Sequence, residues 1–230
     1  MKRKSFCIGL GLLALFVVWT IVLKFVDVQT IGPQGSSVGF ATLNRFIHNF
    51  TGVHMSLYII TDWLGLVPIC FIMGFGILGL CQWIKRKNLF KVDYSILTLG
   101  GFYIVVMALY IFFEMFVINY RPILINGNLE VSYPSSTTML VACVMPTAIM
   151  QFNSCIKNSG FKKCVNILIV AFIAFMVIGR LLSGVHWFSD IIGGTILSCG
   201  LVLIYHSIQL SGGKTMSKKD YIIRLERKED

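Results

Sequence analysis

The chain has 230 residues, of which 56% are hydrophobic and only 13% charged, with a formal net charge of +10. A soluble domain carries about 25% charged residues, so this composition excludes an ordinary soluble protein and describes a chain whose solvent is mainly lipid. The positive charge would suit nucleic acid, but it falls in short clusters between apolar runs, which points to membrane topology and anionic lipid instead and to no nucleic-acid partner.

A spanning helix needs about 20 mostly apolar residues. The first candidate, residues 5–25, is too long for the core of a cleavable signal and lacks a clear small-residue cleavage site, so it is expected to remain as a span. Residues 28–54 break at Gly32, Pro33 and Gly35, and Phe40 to Phe50 then alternates apolar and polar residues at helical spacing, which predicts an interfacial segment. Further spans are predicted at 56–84, 94–119, 136–153, 165–183 and 188–210. The second and third are long enough to tilt, and Pro146 predicts a kink in the short fourth. The expected fold class is all-α: an integral membrane bundle of six transmembrane helices with an interfacial segment between the first two. Residues 1–230 would form a single membrane domain with a basic cytoplasmic tail at 211–230. No C-x-x-C pair occurs among the seven cysteines, which predicts free thiols rather than disulfides or a zinc site.

Orientation follows from lysine and arginine. Sixteen of the twenty lie before the first span, between the second and third, between the fourth and fifth, or after the sixth. Both termini are therefore expected in the cytoplasm, in a plasma membrane of bacterial type. Lys24, Arg45, Arg121 and Arg180 fall toward the opposite side. Arg121 and Arg180, at the ends of the third and fifth spans, oppose the topology rule; they serve either an anionic ligand or snorkelling to lipid phosphates.

Three junctions on that side hold polar clusters. The third span ends in the stretch from Glu114 to Arg121-Pro122, the fourth opens Tyr133-Pro134-Ser135-Ser136-Thr137, and the fifth ends Gly179-Arg180 ahead of His186 and Asp190. His186 and Asp190 share a face if that stretch is helical, and a carboxylate beside an imidazole fixes its tautomer and supports charge on the ring. Such a ring can attack phosphorus, and Arg180 offers forked donors suited to phosphate oxygens. The bland alternative is an interfacial histidine and a capping aspartate. Pro134 with the following hydroxyls suits a helix start, where backbone N–H groups favour anions or Ser and Thr merely cap. Asp62, inside the second span, calls for a polar partner or a water pocket. His48 and His54 suit an interfacial role or the loan of a proton.

The spacing Arg180-x5-His186-x3-Asp190 resembles the third motif of the type 2 phosphatidate phosphatase superfamily, also called the acid phosphatase and vanadium haloperoxidase superfamily. Arg121-Pro122 resembles the end of its first motif, Lys-x6-Arg-Pro, and Pro134-Ser135 the start of its second, Pro-Ser-Gly-His. The resemblance covers about residues 55–210, the expected phosphatase-like core, and six spans suit the membrane branch. It implies hydrolysis of a lipid phosphate or diphosphate at the non-cytoplasmic face through a phosphohistidine, with no cofactor and no metal. His186 would be the nucleophile and Asp190 its partner, while Arg121, Arg180, Ser135 and Ser136 would hold the phosphate. Two positions depart from the pattern. Glu114 stands where the first motif has lysine, and Ser136-Thr137 replace Gly-His, removing the histidine that protonates the leaving group. A leaving group already stable as an anion suffers least from that loss, which favours polyprenyl diphosphate. Alternatively Glu114, two turns from Arg121 on one helix face, supplies the acid or forms an ion pair with Arg121. A non-catalytic phospholipid-binding relative and a lipid phosphotransferase are the competing readings.

Overall fold

The computed structural model describes residues 2–229, with side chains over 3–212. The basic side chains expected in the tail lie outside the described residues. Eight α-helices follow in order: α1 (Lys2–Phe25), α2 (Ala41–Thr51), α3 (Met55–Leu64), α4 (Leu66–Arg86), α5 (Tyr94–Met115), α6 (Ser136–Cys155), α7 (Ser159–Leu182) and α8 (Phe188–Glu229). Among the described residues six stretches are long and apolar enough to cross a membrane, and each overlaps one of the six expected spans. The protein is an all-α integral membrane bundle.

α3 and α4 together make the second span, 32 residues from Met55 to Arg86. At about 1.5 Å per residue it exceeds a hydrocarbon core of about 30 Å. Its break has a local cause. Pro68 lacks the N–H that Leu64 would receive, and Gly65 N instead donates to both Thr61 O and Asp62 O at 3.0 Å. α6, in contrast, runs through Pro146 as one helix. The Thr147 hydroxyl donates to the carbonyls of Val144 (2.7 Å) and Cys143 (3.3 Å) in the turn before it.

α6 is the central helix. One face packs with α1, α5 and α8 around Leu99, Tyr103, Val106, Met139, Val144 and Leu197; the other meets α7 through Val141, Met145, Ile169 and Met176. Its polar side chains are satisfied inside the bundle: Thr147 pairs with Tyr103 at 3.1 Å, and Gln151 donates to Tyr205 at 2.9 Å. α1 lies along α8 at close range. A methyl group on Gly9 would sit 2.8 Å from Ile204 and 3.0 Å from the Gly200 carbonyl, so only a bare backbone fits there.

The third span ends earlier than expected, at Met115 rather than near 119. Residues 119–132 instead form a hairpin, with Tyr120 opposite Val131 and Ile125 opposite Asn128. Its turn is Asn126-Gly127, both at positive φ (51° and 79°), the geometry that an Asn-Gly pair adopts most readily. Pro122 also disfavours helix at Arg121. The fifth span begins earlier than expected, at Ser159, where Asn158 Oδ1 accepts the Phe161 N–H and caps it.

α2 is the interfacial segment. Leu43, Phe46 and Phe50 are exposed along one stripe, while Ala41 and Asn44 are buried on the opposite face. The hairpin, α2 and the α7–α8 turn meet at one end of the bundle, opposite the basic turns at Lys85–Lys91 and Lys157–Lys163.

Candidate active site

Residues 183–187 link α7 to α8 and carry His186. The turn presses against the chain that follows α2: Gly184 has φ +68°, and a Cβ there would lie 2.1 Å from Gly52 O. His48 Nε2 donates to Gly184 O at 3.1 Å, and His54 N donates to Ser183 O at 3.0 Å. Asn44, fully buried, donates to Ser189 Oγ at 3.0 Å and accepts the Ser189 N–H at 3.1 Å. Trp187 Nε1 donates to Tyr120 O at 2.8 Å, tying the turn to the hairpin. α2 and the residues that follow it therefore grip the turn that presents His186. Asn44→Ala leaves the buried Ser189 groups without their Asn44 partner, and a loss of about 1–3 kcal/mol is expected. It would be read as a lower thermal midpoint in detergent; an unchanged midpoint would show that the clasp contributes nothing.

Asp190 occupies the third position of α8 and is fully buried. Its carboxylate accepts the Trp187 N–H at 2.9 Å, in the manner of a capping box. It also accepts from Asn119 Nδ2 and Ser189 Oγ, each at 3.4 Å. The direct His186–Asp190 pairing expected from their spacing is replaced by a bridged one. His186 Nδ1 is 3.9 Å from Asp190 Oδ2, beyond hydrogen-bond reach. Ser132 Oγ lies between them, 3.1 Å from Nδ1 and in short contact with Asp190 Oδ2. Neither Ser132 nor Asn119 stood out in the sequence as a site residue. Both ride on the hairpin, which Asn126-Gly127 signals.

The two arginines do not snorkel. Arg180 is 1% exposed and Arg121 9%. One tyrosine ring faces both: Tyr58 lies 5.1 Å from the Arg180 guanidinium carbon and 5.8 Å from that of Arg121. Arg180 Nη1 approaches Asp62 Oδ1 and Thr61 Oγ1 at 3.5 Å, which supplies the polar partner that Asp62 required. Arg180 Nη2 lies 3.5 Å from His186 Nε2. Arg121 Nε is 3.1 Å from Glu130 Oε2 but poorly aligned, and Nε and Nη1 of Arg121 and Nε of Arg180 are buried with no acceptor among the described residues.

These guanidinium groups line a cavity of about 600 Å³, together with Tyr58, Asp62, Tyr110, Glu114, Glu130, Ser136 and Thr137. Glu114 and Arg121 do not share a helix face, because α5 stops at Met115 and Arg121 stands on the hairpin. The carboxylate beside Arg121 is Glu130, and Glu114 faces the cavity without an ion pair to Arg121. Ser135 and Ser136 separate. Ser135 is fully buried ahead of α6, with its hydroxyl accepting from Thr138 at 3.0 Å, and Ser136 and Thr137 reach the cavity. Among the described residues, no cluster of three or more His, Cys, Asp or Glu is placed to hold a metal ion.

Burial first, and then the positive charges of Arg121 and Arg180, hold the His186 ring well below the ordinary value of 6.5, with the hydrogen bond to Ser132 pulling the other way. A lowered value keeps the ring neutral, with a free lone pair, throughout the neutral range. If His186 is the nucleophile, activity is retained as pH falls to 6.5 and is lost only below it, as the ring takes up its proton. A pH–kcat/KM profile checks this; an acid limb centred above 6.5 would contradict it.

Residues 99–212, which include every one of these site residues in α5–α8 and the hairpin, match the family described as the PAP2 superfamily. The chain belongs to that superfamily. Among solved structures, this PAP2 chain is similar to one described as the first transmembrane PAP2 type phosphatidylglycerolphosphate phosphatase from Bacillus subtilis. The two are 20% identical, with a TM-score of 0.50, covering 89% of this chain and 96% of the other. At that identity the likeness establishes a shared fold, that of the membrane branch of the PAP2 family. No curated protein matches the sequence. Membership supports lipid phosphatase chemistry at the level of the family.

Proposed function

We propose that this protein is a lipid phosphatase in which His186 accepts the phosphoryl group of a lipid phosphate or diphosphate. The observation that carries the reading is that Arg121 and Arg180 line one cavity, hold buried guanidinium N–H groups with no acceptor among the described residues, and bring Arg180 Nη2 to 3.5 Å from His186 Nε2. Such donors cost free energy unless an anion meets them. A phosphate held there would take the position that Arg180 Nη2 now occupies next to Nε2. The ring lone pair attacks phosphorus in line, the P–O bond to the leaving group breaks, and a phosphohistidine forms. Water then attacks phosphorus, the N–P bond breaks, and inorganic phosphate leaves.

The residue in the place of the motif histidine, Thr137, cannot protonate a leaving group near neutral pH. A polyprenyl diphosphate asks least of such a site, since its leaving phosphate is stable as an anion. For a monophosphate the leaving oxygen is an alkoxide and needs a proton. Glu114 lines the same cavity as Thr137 and has no ion pair with Arg121, which favours it as the donor. It gives the proton to the leaving oxygen and recovers one from the attacking water.

Charge placement supports an extracytoplasmic site with both termini in the cytoplasm, in a chain that forms one membrane domain. The test is phosphate release by detergent-purified protein from a panel of lipid monophosphates and diphosphates, beside the His186→Ala variant. Release by wild type alone is expected, fastest with a polyprenyl diphosphate. Equal background in both would leave a binding protein. Transfer of labelled phosphate to a lipid or sugar hydroxyl instead of water would make the protein a phosphotransferase.

A further inference from the structure

We propose that Ser132 is a positioning residue for this reaction, coupling Asp190 to His186 through its hydroxyl and fixing the ring in the tautomer that attacks. The proposal rests on the reading of His186 as nucleophile. Its support lies in the direction of each hydrogen bond.

Arginine has only donors. Arg180 Nη2, 3.5 Å from His186 Nε2, therefore faces a lone pair on that nitrogen. A neutral ring carries its one proton on the other nitrogen, Nδ1. The group within reach of Nδ1 is Ser132 Oγ at 3.1 Å, so Oγ accepts from it. The serine hydroxyl then gives its own hydrogen to Asp190 Oδ2, a carboxylate oxygen that also accepts the Trp187 N–H at 2.9 Å. Along this relay, Arg180 Nη2, His186 Nδ1 and the Ser132 hydroxyl each then have an acceptor, whereas a proton on Nε2 would face Arg180 Nη2 donor to donor.

The arrangement answers a geometric problem. Asp190 is committed to the start of α8, where it caps the backbone and accepts from Asn119 and Ser189, and at 3.9 Å it does not reach Nδ1 directly. Ser132 closes the gap. Its placement comes from the hairpin, where Ser132 N donates to Asn119 O at 3.0 Å and Arg121 N donates to Glu130 O at 3.0 Å. One backbone pairing thus sets both a phosphate-facing guanidinium and the bridge to the nucleophile.

During attack the Nε2 lone pair forms the N–P bond and the leaving oxygen takes the electrons of the P–O bond. The ring becomes cationic while its Nδ1 proton stays in the bond to Oγ. The Asp190 charge, relayed by the polarised hydroxyl, stabilises that cation.

The test combines ring tautomer with kinetics. In protein labelled with ¹⁵N-histidine, the His186 signal, assigned by its loss in His186→Gln, is expected to report the Nδ1–H tautomer. An Nε2–H tautomer in the wild type would overturn the relay without any variant. Ser132→Ala is expected to lower kcat by about 10²-fold or more, since a misassigned tautomer in a related triad costs about 10⁴. KM should change little, and the fixed tautomer should be lost. Ser132→Thr, which keeps the hydroxyl, should restore both readouts to within about 10-fold of wild type. Ser132→Ala with wild-type kcat and tautomer would sink the relay while leaving His186 as nucleophile. A His186→Ala variant as active as wild type would sink the reading of the site itself.

Discussion

His186→Ala is expected to reduce phosphate release from lipid phosphates by at least about 10³-fold, the scale on which loss of a nucleophile acts in enzymes with covalent intermediates. The residue contributes the attacking lone pair, which alanine cannot replace and no other part of the site supplies. Binding should survive. Arg121 and Arg180 keep their unpaired N–H groups in the variant, so KM or the inhibition constant of inorganic phosphate should move far less than kcat. The measurement is steady-state kinetics in one detergent at one lipid mole fraction, with a thermal midpoint confirming that the variant is folded. A comparable loss of phosphate affinity would mean that the turn between α7 and α8 had collapsed and that the fall in rate reports structure rather than chemistry.

Glu114→Gln separates substrates by leaving group. A general acid contributes about 10²–10⁴-fold when the leaving oxygen is a poor anion. Hydrolysis of a lipid monophosphate should therefore fall by that amount. Release from a polyprenyl diphosphate, whose leaving group is itself a phosphate, should fall by less than about 10-fold. The ratio of the two rates is the informative quantity, because damage to the cavity would lower both together. Equal losses would remove Glu114 as a proton donor and return it to a structural role. Glutamine preserves size and hydrogen bonding, so the comparison isolates the proton.

Much of the fold was legible because its signals are long. Six apolar runs bounded by lysine and arginine clusters define six spans, and the stripe of Leu43, Phe46 and Phe50 marks α2. Boundaries were less legible where short-range chemistry overrides hydropathy. The apolar run through Val117-Ile118 looks like a continuing span, yet Pro122 and the Asn126-Gly127 turn pull residues 119–132 into a hairpin. That single change separates Arg121 from Glu114, gives Glu130 to Arg121, and brings Ser132 and Asn119 to Asp190. An Asn-Gly pair between β-branched and apolar residues is the local signal that points to the hairpin. Nothing in one sequence reveals what it carries inward, because those contacts join residues 54 to 71 positions apart. The same holds for Tyr58 over the two guanidinium groups and for Asn44 on Ser189. Spacing along a chain shows which residues share an element. It does not show which face of a distant turn will meet them.

The most direct test is to trap the covalent species. Wild-type protein would be mixed with a lipid phosphate carrying labelled phosphorus, quenched in alkali within one turnover, and digested for mass analysis. The account predicts phosphate on the peptide containing His186, stable in alkali, lost in acid, and absent from His186→Ala. An active protein that yields no such adduct, or one that carries the label on a different residue, would contradict it.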